Sequence, residues 1–493
     1  MEAGTASAQN FDHLREHSIG LPQVMFQSIT HMAPGAAIAF SILFSVGFAG
    51  PALPLSVLLA LIACLLVASS IGQLAKEIPS AGGLYAYVSK ALGPVPGFMV
   101  GVIFLCFEPL VAPLLFLIFA WATTDVMRND VGWDYTGQWW IWVLVAAGIV
   151  FFLTYRDVRV STNAGVILGI FEIGIFLALA AWMLLSNVND LTLSTFDPSN
   201  AEAGTFNGTF KGMVFAILAF IGFEAAAPMG EEARRPRWAV PRAVIGSCFL
   251  VGLFYLFCSY AWVIGTGFDN FTADTLAQAD PWRHLATIFW SGGWVLIFFA
   301  IINSALANSN AGVNAASRVI YAMGRNGVLP RAFARTHPQH KTPHVAIIAQ
   351  TILGISVALL LGWKWSPLNA FGTLSYALTS LVIVVYITVC VSCVVYFHRE
   401  HRAKRHVWLH VVFPVAGALA FLPPLYYQFR PLPPEPLRYG NFGAIALFCF
   451  AALVTLWMAT RHRERLNADH FFIAGAEPEE APPQTGAAPV AGS

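Results

Sequence analysis

Three carboxylates lie inside long apolar stretches of the chain: Glu108 in FLCFEPLVAP, Glu172 in LGIFEIGIF and Glu224 in AFIGFEAAAP. A charged side chain at the centre of a membrane helix costs about 2.5 to 3.5 kcal/mol on insertion scales. Such residues are therefore candidates for binding an amine, another cation or a proton. His31, whose side chain titrates closest to neutral pH, stands in a fourth apolar stretch, SITHMAPGA.

The composition indicates that these groups lie in a membrane. The chain has 493 residues, of which 57% are hydrophobic and only 11% charged, whereas soluble domains carry about 25% charged residues. Apolar runs of about 20 residues, enough to cross ~30 Å of hydrocarbon, recur without the period-two alternation of a β-barrel. We therefore predict an all-α integral membrane protein with twelve transmembrane helices, at about 22–47, 52–75, 93–127, 137–155, 160–186, 208–230, 239–266, 284–316, 343–362, 368–397, 406–428 and 440–460.

The distribution of Lys and Arg predicts how the chain crosses the membrane. In the twelve-helix arrangement, six of the 27 Lys and Arg residues lie on the side opposite the N-terminus: Arg128, Lys211, Arg283, Lys364, Arg430 and Arg438. This asymmetry predicts a multi-pass protein of the cell membrane, embedded in the lipid bilayer, with both termini in the cytoplasm. A net charge of +1 gives no indication of a nucleic-acid partner.

Helices 1 and 6 are each interrupted near the middle by Gly and Pro, in FQSITHMAPGAAIAF and FAILAFIGFEAAAP. Paired interruptions in two halves of a chain indicate an inverted-repeat transporter with its site at the bilayer midplane. A half-helix that begins at the first break offers backbone N–H groups to a carboxylate in the segment of Ala33, Pro34, Gly35 and Ala36, where Pro34 itself has no N–H and is tolerated at the first helical position. A half-helix that ends at the second break offers carbonyl groups to an ammonium group, at Phe220, Ile221 and Gly222. A substrate that carries both charges is an amino acid.

The same pattern divides the chain into five parts. Helices 1–5 and 6–10 are predicted to form two inverted five-helix repeats, with helices 11 and 12 appended. The predicted boundaries are 1–20 for a cytoplasmic tail, 21–187 for the first repeat, 188–398 for the second repeat, 399–465 for helices 11 and 12, and 466–493 for a disordered cytoplasmic tail rich in Pro, Ala and Glu.

Three motifs resemble those of the amino acid-polyamine-organocation superfamily. FIGFEAAAPMGEEARRPRWAVPRAV (220–244) is similar to the sixth-helix signature of that superfamily. PSAGGLYAYVSKALGP (79–94) and NAASRVIYAMGRNGVLPRAFARTHPQHKTP (314–343) resemble its loops between helices 2 and 3 and between helices 8 and 9. The resemblance spans about residues 20–400. It implies the LeuT-like fold of two inverted repeats and the transport of amino acids, polyamines or related amines.

The substrate site is expected to combine the two breaks with acidic side chains. Glu224 follows the second break, where it either holds a substrate amine, bridges to helix 1, carries a proton, or ties two helices together as a neutral acid. Glu108 either meets a cationic group in the central cavity or pairs with His31 or a backbone carbonyl. Phe223 is expected to act as an aromatic lid. These acids favour a cationic substrate, and a polyamine would use Glu108 and Glu224 without the amides of helix 1.

The candidates for coupling transport to an ion are His31, Glu172 and Glu224. Resemblance to proton-coupled members of the superfamily leads us to expect a lysine in helix 5, but that helix contains Glu172 and no lysine. Glu172 then either titrates or faces a neighbouring helix, and His31 is either a proton carrier or a packing residue. The polar run NSALANSN (303–310) lines the cavity, binds sodium or links helices. We favour proton-coupled symport over sodium coupling or exchange.

The cytoplasmic segment EEARRPR (231–237) carries charges that are candidates for an inner gate: Glu231, Glu232, Arg234 and Arg235. A solvated loop is the alternative. The seven cysteines lie in apolar runs without a metal-binding pattern, and no nucleophile elbow, phosphate loop or HExxH motif is present. The sequence therefore implies no enzyme activity, no cofactor and no metal, and a non-transporting amino acid sensor is the alternative from another functional class.

Overall fold

The computed structural model describes residues 19–133, 136–156, 158–202, 206–268, 281–325 and 327–462. Within these ranges the protein is helical, with one isolated β-bridge between Ile19 and Ala233. The predicted tail 466–493 and residues 1–18 of the N-terminal tail lie outside the described residues.

The helices are numbered here in chain order. The first half contains α1 (Leu21–His31), α2 (Pro34–Ala36), α3 (Ile42–Ala49), α4 (Leu53–Glu77), α5 (Gly83–Leu92), α6 (Pro94–Phe107), α7 (Val111–Asn129), α8 (Trp139–Arg156) and α9 (Val158–Ser186). The second half contains α10 (Phe206–Phe220), α11 (Pro236–Thr266), α12 (Pro281–Trp290), α13 (Trp294–Arg325), α14 (His344–Trp365), α15 (Pro367–Arg399), α16 (Phe413–Ala420), α17 (Leu422–Phe429) and α18 (Arg438–Arg461).

Eleven stretches of the described residues are long and apolar enough to cross a membrane. The first, Leu21–Glu77, has 57 residues and contains both of the first two predicted helices. Between α3 and α4 the chain turns at a 3-10 helix, Gly50–Ala52, where Gly50 has a φ of 52°. Glycine adopts a positive φ without strain, and Pro51 has no N–H to continue an α-helix. The other ten stretches correspond one to one with predicted helices 3 to 12.

The first break separates α1 from α2. Met32 follows the last residue of α1, and Ala33 has a left-handed backbone with a φ of 48°. Pro34 then starts the next helical segment, where its missing N–H has no partner to lose. A π-helix, Ala37–Ser41, joins α2 to α3. The interruption predicted in this stretch is therefore present.

The second break follows α10. The helix ends at Phe220, Gly222 has a φ of 121°, and the chain continues as a 3-10 helix, Phe223–Met229, that contains Pro228. A φ of this size is almost confined to glycine. The interruption predicted in helix 6 is also present, with its second half wound as a 3-10 helix.

The 32-residue helix α13 runs past both breaks and is about 48 Å long. It packs against α1, α7 and α9 and against the 3-10 helix that follows the second break. Large apolar side chains on outer helices are exposed, among them Leu185 at 72% and Leu453 at 66%. In a membrane protein such side chains face lipid. α13 itself exposes Leu296 and Phe299 near its start, whereas its part from Ala307 to Gly324, apart from Ile320, is buried in the interior of the bundle.

Candidate functional site

A cavity of about 30 Å³ lies where the two breaks meet α7, α13 and α15. Ala33 and Ala36 line it from the first break, and Ile221 lines it from the second. This volume is far below the ~300–1,000 Å³ of typical ligand pockets. The conformation in which the two breaks surround this small chamber is called the closed conformation below.

The wall of the cavity is mostly apolar. Leu114 and Leu115 of α7 and Phe371 of α15 contribute to it, and its polar side chains are those of Ser41 and Asn308. Such a chamber suits a ligand whose side chain is apolar and whose polar groups are few.

Asn308 was not singled out from the sequence, although it belongs to the polar run 303–310, for which lining the cavity was one of three alternatives. Its side chain is 7% exposed, and its Oδ1 has no hydrogen-bond partner among the described residues. A buried acceptor without a donor costs about 1–3 kcal/mol. Asn308 is therefore the side chain in the cavity wall that most needs a donor from a ligand.

Glu172 reaches the first break from α9. Its carboxylate accepts hydrogen bonds from Nδ2 of Asn303 at 3.0 Å and from Oγ of Ser304 at 3.2 Å. It also accepts one from the backbone N–H of Gly35. One amide that was predicted to bind a substrate carboxylate is thus bound by the protein's own carboxylate.

Gly35 faces the helices rather than the cavity. A Cβ added there would lie 3.1 Å from Phe176 and 3.2 Å from the carbonyl oxygen of Ala300. Neither Gly35 nor Pro34 lines the cavity, so the positions at the first break that the structure places in its wall are Ala33 and Ala36.

Of the three predicted amine ligands at the second break, the structure places Ile221 in the cavity wall. Phe220 packs edge-on against Tyr255 with its ring centroid 5.3 Å away. The carbonyl oxygen of Gly222 accepts a hydrogen bond from the backbone N–H of Ala225 at 2.9 Å. Phe220 and Gly222 thus act in packing and in backbone pairing in this conformation.

Glu224 and Phe223 lie on the side of the second break that faces α15. Oε2 of Glu224 accepts hydrogen bonds from the backbone N–H of Gly222 at 3.0 Å and from the hydroxyl of Tyr386 at 2.8 Å. The ring of Phe223 also packs against Tyr386, at a centroid distance of 5.2 Å. Neither residue lines the cavity. Among the alternatives for Glu224, this geometry matches a group that ties helices together.

His31 and Glu108 form a buried pair beneath the cavity. Nε2 of His31 lies 2.9 Å from Oε1 of Glu108, and both side chains are 1% exposed. Among the alternatives for Glu108, this geometry matches the pairing with His31. Glu108 does not line the cavity, because its carboxylate faces the imidazole.

Ion pairs lie near the end of α13 at Arg325. Glu232 pairs with Arg318, both nearly fully buried, and Oε1 of Glu231 lies 2.9 Å from Nη2 of Arg325. Oε1 of Glu231 also accepts a hydrogen bond from the backbone N–H of Ala81 at 3.2 Å. These contacts join the segment after the second break to α13 and to the loop before α5.

The other two residues predicted for this gate, Arg234 and Arg235, are exposed. The backbone N–H of Arg234 donates to the carbonyl oxygen of Ile19 at 3.0 Å, within the β-bridge. The acids of the predicted gate therefore pair with arginines of α13, more than 80 residues further along the chain. No local pattern in the sequence specified those partners.

A second group of charges lies near the other end of α13. Arg283 of α12 pairs with Asp130 and, at 2.6 Å, with Asp125 of α7, and its guanidinium stacks over the ring of Trp294. The neighbouring Trp282 is fully buried, and its Nε1 donates to the carbonyl oxygen of Ile38 at 3.1 Å. These contacts join α12 to α7 and to the π-helix after the first break.

The residues of α13 order these features along the bundle axis. Trp294 and Arg318 are 24 positions apart, which corresponds to about 36 Å of helix. Ser304, with Glu172, and Asn308, in the cavity wall, lie between them. The cavity therefore lies near the middle of the bundle, with ion pairs toward each end.

These features define a multi-pass membrane protein in which two interrupted helices enclose a small central chamber. The chain belongs to the amino acid permease family, because the model of that family matches residues 19–463. The resemblance to the amino acid-polyamine-organocation superfamily is thereby confirmed.

Several characterised relatives are similar over most of their length. The chain is 25% identical to the low-affinity putrescine importer PlaP of Escherichia coli over 382 residues, 74% of this chain and 78% of that protein. It is 27% identical to the branched-chain amino acid permease BcaP of Bacillus subtilis over 386 residues, 72% and 79% of the two chains. It is 24% identical to the glutamate/serine transporter AimA of B. subtilis over 433 residues, 82% and 76%. These names cover substrates of different charge and size.

Proposed function

We propose that this protein is a secondary transporter that moves a neutral amino acid across the cytoplasmic membrane by alternating access. The observation that carries the proposal is the position of the cavity. Both breaks contribute to its wall, and separate ion-pair groups lie toward each end of α13.

The topology belongs to this proposal. The 57-residue stretch Leu21–Glu77 counts as two crossings, because it exceeds the ~20 residues that one crossing needs and turns at Gly50–Ala52. Together with the ten other stretches this makes twelve crossings. The two interrupted helices then stand first in each of two inverted five-helix repeats. An even number of crossings places both termini on one side, which the excess of Lys and Arg identifies as cytoplasmic.

The two groups of ion pairs act as gates in this proposal. Separating Glu231 and Glu232 from the arginines of α13 opens the cytoplasmic end, and separating Arg283 from its aspartates opens the opposite end. The two groups lie toward opposite ends of the bundle, so opening one and then the other would give the chamber access to each side in turn.

The composition of the cavity wall favours a neutral, apolar side chain. The backbone at Ala36 would receive the substrate carboxylate, because the N–H of Ala33 already donates to the carbonyl oxygen of Thr30 at 3.1 Å. The carbonyl of Ile221 with Oδ1 of Asn308 would receive the amine. A cationic side chain would need a carboxylate in the wall, whereas Glu108 faces His31. We therefore propose a neutral substrate instead of the cationic substrate that the acidic residues suggested in the sequence.

A proton is the favoured coupling ion in this proposal, and sodium coupling and exchange are the alternatives. The carboxylate of Glu172 and the imidazole of His31 both lie at the first break, where a titrating group can influence the substrate site. A polyamine substrate is the second candidate, and the similarity to a putrescine importer favours it.

Uptake by purified protein in proteoliposomes tests the proposal. Labelled leucine, valine, serine, arginine, lysine, glutamate and putrescine are offered under an inward proton gradient without sodium. We expect accumulation of neutral amino acids that a protonophore abolishes. Flux that needs internal substrate indicates an exchanger. Flux that needs sodium shows that sodium, and not a proton, is the coupling ion. Putrescine uptake supports the second candidate. Binding without flux under all conditions favours a sensor and rejects the proposal.

A further inference from the structure

The imidazole of His31 lies where three interrupted helices meet. His31 is the last residue of α1, directly before the first break. Glu108 begins a 3-10 helix, Glu108–Leu110, that separates α6 from α7. Gly222 lies in the second break, and a Cβ added to it would be 2.6 Å from Cδ2 of His31. The ring therefore contacts the three points at which these helices can bend.

The fourth side of the ring is α13. A Cβ added to Gly312 would lie 2.9 Å from Cε1 of His31, so this glycine leaves just enough room for the imidazole. The backbone carbonyl of Asn308 also faces the ring. Because Asn308 lines the cavity, one residue of α13 contacts both the chamber and the imidazole.

The groups that face the ring accept protons. Glu108 faces it from the break between α6 and α7, the carboxylate of Glu224 from the 3-10 helix after the second break, and the carbonyl of Asn308 from α13. The hydroxyl of Tyr386, on α15, donates to Glu224 and so is linked to the imidazole only through that carboxylate. An imidazole surrounded by acceptors is suited to carry a proton on both nitrogens.

We propose that His31 and Glu108 together form the binding site of the co-transported proton. The proton enters from water on the open side and binds the neutral imidazole, giving an imidazolium that faces the Glu108 carboxylate in the closed conformation. When the breaks move and the opposite side opens, the pair separates, water reaches the imidazole, and the proton leaves. This inference rests on the proposed transport function and assigns its coupling site.

The position of His31 explains how substrate and proton influence each other. Met32 and Ala33, the next two residues, line the cavity, as does Asn308 on the far side of the ring. A substrate that occupies the cavity thus contacts the two residues that follow His31 in the chain, and also Asn308, whose carbonyl faces the imidazole. Coupling requires only a shared element that has two arrangements, one of which is favoured by both substrate and proton.

The test compares wild type with His31→Gln and Glu108→Gln in proteoliposomes that contain a trapped pH-sensitive dye. The substrate is a panel member that wild type accumulates, and internal pH is recorded together with labelled uptake. We expect wild type to acidify the lumen during uptake. Each variant should retain counterflow of labelled for unlabelled substrate. Its gradient-driven accumulation should fall about tenfold or more, which corresponds to a loss of about 1.4 kcal/mol of coupling free energy.

His284→Gln is the matched control, because His284 is an exposed histidine of α12 and should change neither readout. Protonophore-sensitive accumulation by either glutamine variant overturns the inference. Wild-type flux without proton entry also overturns it but leaves the transporter proposal standing. Absence of wild-type flux for every panel member rejects the transporter proposal itself. If a variant loses its fold, proton uptake from solution by detergent-solubilised wild type on substrate binding, measured across pH, replaces the comparison. Absence of linked proton uptake rejects the site.

Discussion

The hydroxyl of Tyr255 lies 2.6 Å from the carbonyl oxygen of Met32, at the end of the first half of an interrupted helix. The same hydroxyl lies 2.9 Å from the carbonyl oxygen of Ala219, beside the second break. One fully buried side chain of α11 therefore places a single O–H donor between carbonyl groups of both breaks, which share its proton. Because helix ends expose carbonyls that need donors, Tyr255 holds the two breaks together in the closed conformation.

Replacing Tyr255 with Phe removes the shared donor and keeps the ring. We expect a destabilisation of about 1–3 kcal/mol, because two buried carbonyls lose the one donor that they share. Thermal unfolding in detergent and initial rates of uptake measure the effect. Tyr260→Phe is the control on the same helix, where the ring of Tyr260 stacks on Phe196. Equal effects of the two substitutions would show that the hydroxyl of Tyr255 has no special role.

The two ion pairs at the predicted cytoplasmic gate should differ in strength. Arg318→Met leaves Glu232 buried without its partner, which costs about 3–5 kcal/mol. Arg325→Met affects a less buried pair, whose side chains are 14% exposed and whose Glu231 keeps the N–H of Ala81, so we expect a smaller loss, of about 1.5–3 kcal/mol. Thermal unfolding ranks the variants.

The double variant Glu232→Gln, Arg318→Met tests the cause of that difference. It removes both charges, so we expect it to be more stable than Arg318→Met alone. A double variant at least as unstable as the single variant would show that the arginine acts through packing, not through its charge.

Gly222 should tolerate no side chain. Its φ of 121° strains any other residue by about 1–3 kcal/mol, and a Cβ would lie 2.6 Å from His31. We expect Gly222→Ala to lower uptake at least tenfold, the equivalent of about 1.4 kcal/mol. Gly47→Ala is the control, because Gly47 lies in α3 with no atom within 4 Å of an added Cβ. Normal uptake by Gly222→Ala would remove the second break from the mechanism.

Glu172 tests whether the carboxylate at the first break carries a proton or only holds the helix. In Glu172→Gln an NH₂ group replaces one oxygen, so one donor among Asn303, Ser304 and Gly35 loses its acceptor. We expect reduced stability, by about 1–3 kcal/mol, with proton-driven accumulation preserved. Loss of accumulation with intact counterflow would instead assign the coupling to Glu172.

The sequence predicted the elements of this protein better than their contacts. The breaks at Ala33 and Gly222 followed from Gly and Pro, whose backbone preferences are local properties. The partners of Glu232 and Glu172 lie 86 and more than 130 residues away. Such pairings depend on how helices rotate about their axes, and an all-round apolar helix gives no periodic signal that fixes this rotation.

The same reasoning explains which site residues were missed. Glu108 and Glu224 attracted attention because charges are rare in membrane helices, yet the structure holds them in contacts with His31 and Tyr386. The cavity wall consists of common side chains such as Leu114 and Phe371, which no composition rule distinguishes from lipid-facing residues.

Asn308 is the polar residue whose substitution should affect substrate binding most directly. Its Oδ1 is buried in the cavity wall without a partner among the described residues, so a substrate amine that binds there satisfies it. Asn308→Ala removes the acceptor without unpairing another described group, and we expect KM to rise about tenfold while thermal stability stays unchanged or improves. Ser309→Ala is the control, because the hydroxyl of Ser309 donates within its own helix, to Ala305. An unchanged KM in Asn308→Ala would mean that the amine binds elsewhere, and a loss of stability without a change in KM would make Asn308 a packing residue.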